Sequence, residues 1–352
     1  MTPKRIGIGI LSFAHGHIHS YARTLAGFDD AKLIACWDHD TARGMAGAES
    51  YGIPFVSDLE AILRRSDIDC VIVTTETNRH ADTAIAALEA GKGVLLEKPM
   101  ATTLQDCDRI IEAVNRTGQW FSMAFHTRVD PQNVAMRDLV RSGSVGRLGF
   151  VRRRHSLSLL FNKGFVEGPT RWHLSPEANV GMFFDASVHA LDWLYWTVGE
   201  PPVTVMAEID NVLTDVAPDD TGAAVLRFPS GLMATLLTSS VCLAGENTTE
   251  IYGDEGVIIQ NHGDGPSTAV RPEGAIGVKL YQQQKAHLGW QDLGLPLAPS
   301  QGHRIADLTR PFVDAFSRGE TLCSATEGRV SVATALACYE SAATGRRVTI
   351  PL

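Results

Sequence analysis

The stretch VIVTTETNRHADTAIAALEAGKGVLLEKP, residues 71–99, opens on a short apolar run, continues with apolar residues at helical spacing from Thr77 to Ala90, and returns to a second apolar run, GVLL. A strand, a crossover helix and a parallel strand follow from that pattern. Working outward, RIGIGIL, KLIACWD, DCVIVTT, GVLLE and WFSMAF repeat the rhythm through the first part of the chain, with Thr103 to Thr117 as a further crossover helix. The expected fold is α/β, a doubly wound parallel sheet. Ligands of such sheets bind beyond the carboxyl ends of the strands, so the residues just after each run carry the information.

Past Arg128 the pattern changes. A helix is expected at Pro131 to Arg141, then a long strand in RLGFVRRRHSLSLL, then a dense apolar helix, MFFDASVHALDWLYWTV. Strand-like runs TVMAEI, GAAVLRF, LMATLLTSS and TEIYG are separated by turn signals such as Pro229-Ser230-Gly231. This second part reads as an α+β domain on a mostly antiparallel open sheet. Two helices, near Arg304 to Phe316 and Glu327 to Ala343, close the chain, and Asn261 to Gly302 is expected to form a long loop or lid.

A length of 352 residues exceeds one ordinary core. With 44% hydrophobic and 20% charged residues, extended disorder is not expected. The net charge of −9 has no basic block beyond Arg152-Arg153-Arg154, which argues against a nucleic-acid partner. No apolar run is long enough to span a bilayer, and the N-terminus runs into a strand without the parts of a signal peptide, so no membrane partner and a cytoplasmic location are expected. The six cysteines are scattered without a CxxC pair and read as reduced structural thiols.

The first strand ends in Leu11-Ser12-Phe13-Ala14-His15-Gly16-His17, where a dinucleotide fold normally has GxGxxG. Ser12 and Ala14 are small, but the glycines are missing. Asp38, at the end of the second strand and beside His39, stands where a carboxylate accepts the ribose hydroxyls of NAD. NAD is therefore favoured over NADP, with Arg43 nearby keeping NADP open. Its bland alternative is a turn preceding the helix at Thr41.

The HGHIH segment, with His15, His17 and His19, invites a metal reading that would suit a metal-dependent hydrolase. The preferred account has these histidines cap or line the first crossover helix, with no metal. Lys98, directly after GVLL and Glu97, is placed at the ligand crevice and could stabilise a developing alkoxide; the bland alternative is a surface salt bridge to Glu97. Asp185, His189 and Asp192, spaced four and three apart, share one face of a helix that is apolar almost all round. A carboxylate beside a histidine can tune a general base, whereas a structural Asp-His pair is the alternative.

Taken together, VIVTTETNRHADTAIAALEAGKGVLLEKPMATT, GMFFDASVHALDWLYWTVG and ACYESAATGRRV resemble the Gfo/Idh/MocA oxidoreductases over nearly the whole chain. The resemblance implies an NAD(P)-binding Rossmann domain, 1–126, and an α+β domain for substrate binding and oligomerisation, 127–352, in a homodimer or homotetramer. It puts the catalytic residues at Lys98, Asp185 and His189. Cofactor contacts are expected from Ser12, Phe13, Ala14, His15, Asp38, His39, Thr74, Thr75, Asn78, His80, Glu97 and Lys98. Substrate contacts are expected from His126, Arg128, Trp172 and His173 with Asp185 and His189. The sequence departs from the family in its glycine-poor first turn, in Glu76 where proline commonly follows the threonine, and in Val180-Gly181-Met182 where glycines often precede the aspartate.

The expected reaction is reversible hydride transfer between nicotinamide and a carbinol carbon of a sugar, inositol or related polyol. His189 would take the hydroxyl proton and Lys98 would hold the oxygen. The alternatives are a glycoside- or keto-sugar-modifying enzyme that recycles NAD, a non-catalytic cofactor-binding sensor, and a metal-dependent hydrolase using the histidine segment.

Overall fold

A computed structural model describes residues 5–244, 247–261 and 274–352. The chain divides into two compact units. The first contains the chain through His126 together with Glu177–Asn179 and Gly302–Arg329, and the second contains Thr127–Pro176, Val180–Gln301 and Val330–Leu352.

In the first unit five strands, β1 (Ile6–Leu11), β2 (Ala31–Trp37), β3 (Cys70–Val73), β4 (Gly93–Leu96) and β5 (Phe121–Met123), form an all-parallel sheet in the order β2-β1-β3-β4-β5. Every residue of β3 and β4 is buried, as expected of parallel strands covered on both faces. The helices Ile18–Leu25, Thr41–Tyr51, His80–Glu89 and Leu104–Thr117 lie between the strands. Thr103 caps the last of these by accepting the Asp106 amide, and Gly118 ends it in the left-handed conformation. The ladder continues one residue past the strands, with Thr74 N donating to Leu11 O, Glu97 N to Val73 O and Ala124 N to Leu96 O. Those bonds bring Ser12, Thr74, Glu97 and Ala124 to one edge of the sheet, which is what sets up a site there.

The sequence predicts one helix near Arg304 to Phe316; the structure has two, Gln301–Ala306 and Thr309–Arg318. The second packs against the sheet through Phe316, whose ring lies where a Cβ on Gly93 would be only 2.6 Å away.

In the second unit nine strands form one sheet: β6 (Leu148–Ser156), β7 (Thr204–Asp210), β8 (Thr221–Arg227), β9 (Met233–Ser239), β10 (Asn247–Gly253), β11 (Gly256–Gln260), β12 (Val278–Gln282), β13 (Gln291–Asp292) and β14 (Val348–Thr349). Their order is β13-β12-β11-β10-β6-β9-β8-β7-β14, with β6 and β9 parallel and the other pairs antiparallel. Residues of β8 alternate strictly between buried and more exposed, so one face packs inward while the other stays open. The helix Met182–Val198 packs against β6, β8 and β9.

The expectation of a long loop over Asn261 to Gly302 is corrected for its second part. Val278–Gln282 is a strand paired antiparallel with β11, because Val278 and Leu280 alternate inward in a stretch whose polar neighbours hide the pattern. Residues 262–273 of that stretch lie outside the described residues. All six cysteines are free, and burial pushes the thiols of Cys36, Cys70, Cys107 and Cys338 up.

Candidate active site

In the first unit the candidate residues gather at the carboxyl edge of the parallel sheet. Ser12 takes a positive φ of 82°, the conformation a glycine normally supplies at this turn. Its backbone is fixed by Ser12 N to Trp37 O at 2.6 Å and by Thr74 Oγ1 donating to Ser12 O at 2.6 Å. Phe13 and Ala14 spend their amides inside the protein, on Asp38 Oδ2 and Ser12 Oγ, and His15 N donates to Thr74 O. The Phe13 ring stacks on Tyr51 at a centroid distance of 6.0 Å and fills the space over Gly47, so this side chain packs the turn against the helix Thr41–Tyr51. Gly16 is the exposed residue of the turn.

Asp38 is buried at the end of β2, as the spacing required, but it is heavily engaged. It accepts hydrogen bonds from Phe13 N, Ser12 Oγ and Asp40 N, and Arg43 grips both its oxygens at 2.8 and 2.7 Å. Arg43 also donates to Glu76 at 3.0 Å. Burial opposes ionisation of Asp38, yet Arg43 and the two amides hold its carboxyl below the usual range. The turn considered for Asp38 is present, since its Oδ1 accepts the Asp40 amide at 3.0 Å, and Asp40 then caps the helix by accepting the Ala42 and Arg43 amides. His39 is exposed beside Asp38 and Glu76.

At the end of β3, Thr75 is fully buried and its hydroxyl has no hydrogen-bond partner among the described residues. Asn78 is exposed on the turn Thr77–Arg79. His80 lies buried between two carbonyls, with Nδ1 2.7 Å from Pro99 O and Nε2 3.1 Å from Thr75 O. Burial lowers its pKa, and in its neutral form the ring has one N–H to offer the two carbonyls. His80 thereby stands between the Thr75 loop and the loop after β4.

Glu97 is fully buried. Tyr21 Oη donates to its Oε1 at 2.5 Å, His17 Nδ1 lies 3.1 Å from the same oxygen, and Lys98 N donates to Oε2 at 3.0 Å. Burial works against its charge, but His17, Lys98 and Tyr21 prevail and lower its pKa. Lys98 is itself only 3% exposed, which removes the reading of a surface salt bridge. His126, 2% exposed, has its ring 5.7 Å from that of His17.

In the second unit, Asp185 and His189 are each 5% exposed on the helix Met182–Val198. The helix starts at Gly181, which has no side chain to cap it. The cap comes from a loop position before β8 and from a distant helix: Asp219 Oδ1 accepts the Phe183 amide at 2.5 Å, and Tyr339 Oη accepts the Phe184 amide at 3.1 Å while donating to Asp219 at 2.7 Å. A Cβ on Gly181 would lie 2.0 Å from Asp219 Oδ2, so glycine is required by this close approach. His155 on β6 has its ring 5.2 Å from His189 and holds Asn247 through Nδ1 at 2.7 Å.

Asp192, the third ionisable group of that face, forms a bidentate buried ion pair with Arg128, at 3.0 and 2.7 Å. The Arg128 guanidinium expected near substrate is thus engaged in a pair inside the unit. Trp172 stacks on His173 at 3.6 Å, and His173 Nδ1 donates to Thr170 O at 2.7 Å. Beside them lies a groove of about 800 Å³ lined by Val166, Glu167, Arg171, Trp172, Leu174 and Val216, among others.

Tyr21, His155, Asn247, Asp219 and Tyr339 were not singled out by sequence reasoning as site residues. Each meets its partner across a long separation in the chain or through a turn geometry that composition does not display.

The edge of the first unit fits a dinucleotide. Ser12 supplies the turn backbone, Asp38 terminates β2, and Thr75 holds an uncommitted buried hydroxyl at the end of β3. Such an edge is where α/β folds bind nucleotides, and comparison with known proteins gives the class. Residues 6–125 match the oxidoreductase family with an NAD-binding Rossmann fold, and residues 133–259 match the GFO/IDH/MocA C-terminal domain. The chain belongs to the Gfo/Idh/MocA oxidoreductases, and its cofactor is NAD.

A 1,5-anhydro-D-fructose reductase of Ensifer adhaerens is 28% identical over 323 residues, 91% of each chain. An inositol 2-dehydrogenase of Saccharopolyspora erythraea is 28% identical over 351 residues, 97% of this chain and 92% of the relative. Among solved structures, a levoglucosan dehydrogenase in complex with NADH and L-sorbose shares the fold with a TM-score of 0.82 at 21% identity, covering 99% of each chain. No helix among the described residues is long and apolar enough to cross a membrane.

Proposed function

We propose that this enzyme transfers hydride between NAD and a hydroxyl-bearing carbon of a sugar, inositol or related polyol. The observation that carries the reading is Lys98: an ammonium-bearing side chain 3% exposed at the carboxyl end of β4, immediately after a fully buried carboxylate. A lysine so placed is costly to bury unless it is paired or used, and the end of a parallel strand is where such folds bind their ligands. Lys98 holds the substrate oxygen as it changes between alkoxide and carbonyl. His189 takes the hydroxyl proton, and Asp185, one turn earlier, orients His189 or binds a neighbouring hydroxyl. The nicotinamide supplies the hydride chemistry, while the protein contributes position and charge. The names of the relatives, a reductase of an anhydro-ketose and dehydrogenases of inositol, support a polyol substrate.

The test mixes purified enzyme with NAD and a panel of inositols, aldoses, anhydro-sugars and glycosides, following reduced nicotinamide by absorbance. Lys98→Met is expected to lower turnover by about 10²–10³ while NAD still binds, and His189→Ala to flatten the acid limb of the pH profile. Near-normal turnover of Lys98→Met overturns the assignment. Absence of reduction across the panel with NAD bound points instead to internal recycling of the cofactor or to a sensor.

The reading includes a homodimer or homotetramer. Met206, Val225 and Leu237, 49%, 41% and 41% exposed, line one groove with Arg152, Arg154 and Glu208 on the open side of the second sheet. Light scattering of the purified enzyme is expected to give at least twice the 38.1 kDa chain mass.

A further inference from the structure

We propose that His15, His17 and Glu97 form a binding site for one divalent transition-metal ion of the zinc class, at the carboxyl ends of β1 and β4. This goes beyond the oxidoreductase reading and does not depend on it. One ligand atom from each of the three residues lies within 4.8 Å of the other two. A tetrahedral ion with bonds of about 2.0–2.2 Å needs its ligands roughly 3.4 Å apart, so the approach required is a small side-chain adjustment rather than a refolding. His17 Nδ1 and Glu97 Oε1 are already 3.1 Å apart, and the His15 and His17 rings sit 4.3 Å apart at 72°.

The donor set is two imidazoles and one carboxylate, the chemistry that borderline ions of the zinc class prefer. The carboxylate is oriented by Tyr21 Oη, which donates to Oε1, the oxygen facing His17, and by Lys98 N, which donates to Oε2, in the way that outer partners orient metal ligands. The third histidine of the motif is excluded by geometry: His19 Nδ1 is 2.8 Å from Tyr51 Oη, and its ring stacks with Phe13 and Tyr51. The alternating HGHIH pattern therefore divides, with two residues turned to Glu97 and the third turned away. The nearby charge of Lys98 opposes a cation, which places the expected affinity in the micromolar range rather than that of a structural zinc.

The full chain, stripped of metal with a chelator and dialysed, is titrated with ZnCl₂ by calorimetry and with CoCl₂ by visible absorption. One ion per chain is expected, with the ligand-field bands of a low-symmetry, four- or five-coordinate cobalt. His15→Ala and His17→Ala should each weaken binding at least about tenfold, and His19→Ala should leave it unchanged, with thermal unfolding confirming that all three variants fold. No binding to the wild-type chain overturns the proposal, as does binding that survives both His15→Ala and His17→Ala or that His19→Ala abolishes. Because the readouts are heat and cobalt absorption, a failed hydride-transfer assay leaves this result standing, and a failed titration leaves the dehydrogenase reading standing.

Discussion

Asp38 illustrates how a residue can be placed by sequence and still have its behaviour decided elsewhere. Its spacing from the first turn marks it as a ribose partner, yet Arg43 holds both its oxygens and Glu76 takes another of that guanidinium's donors. The Arg43 charge is thereby shared between two carboxylates, and a 2′-phosphate would have to compete with both for that guanidinium. Asp38→Ser removes one of the two and frees Arg43, a fork suited to phosphate. The ratio of kcat/KM for NADP over NAD is expected to rise at least tenfold, and an unchanged ratio would show that Arg43 does not face the ribose. Lys98 and Glu97 were legible because the carboxyl-end rule needs only the position of a strand. The engagement of Asp38 was not, because it depends on how the helix Thr41–Tyr51 presents Arg43.

The helix Met182–Val198 was readable from end to end, since fifteen of its seventeen residues are buried and a run so apolar has to be an interior helix. What anchors it was not readable. Asp219 and Tyr339 close its first turn from 36 and 155 residues away, and Arg128 neutralises Asp192 from 64 residues away. Val180, just before the helix, takes a φ of 65°, a strained choice for a β-branched residue. Removing the anchors should unfold the second unit more easily. Arg128→Met leaves a buried carboxylate uncompensated and is expected to cost about 3–5 kcal/mol, and Tyr339→Phe about 1–3 kcal/mol. Denaturant unfolding reads both values; a loss of substrate affinity in Arg128→Met without a loss of stability would instead place that residue at the substrate.

For the whole molecule, buried ionisable groups set an acid limit. The folded pKa of His80 lies below its ordinary 6.5 because burial penalises the charged ring. Between that lowered value and 6.5 the unfolded chain binds more protons, so stability is present above 6.5 and falls as the pH drops towards the folded value. Glu97 and Asp38 have lowered pKa values as well, and their contribution is lost further down, as the pH falls below their ordinary 4.5 and 3.8. Melting temperatures measured from pH 8 to pH 3.5 are expected to decline in these two stages, and a flat profile down to pH 5 would contradict the buried neutral state of His80.

Sequence alone determined the alternation of strands and helices, the presence of two architectures in one chain, the edge of the parallel sheet that carries the site, and Lys98, Asp185 and His189 as the groups to watch. Periodicity and strand ends are local properties, and they survive in a single line of residues. Only the tertiary structure decided that Arg128 and Asp192 pair in the interior, that Asp219 and Tyr339 cap the helix bearing Asp185, that the Phe13 ring packs against Tyr51 and Gly47, and that two histidines of HGHIH converge on Glu97 while the third does not. Those outcomes depend on which side chains meet across tens or hundreds of residues, and the desolvation of buried charge makes each meeting obligatory once the backbone has brought the groups inside.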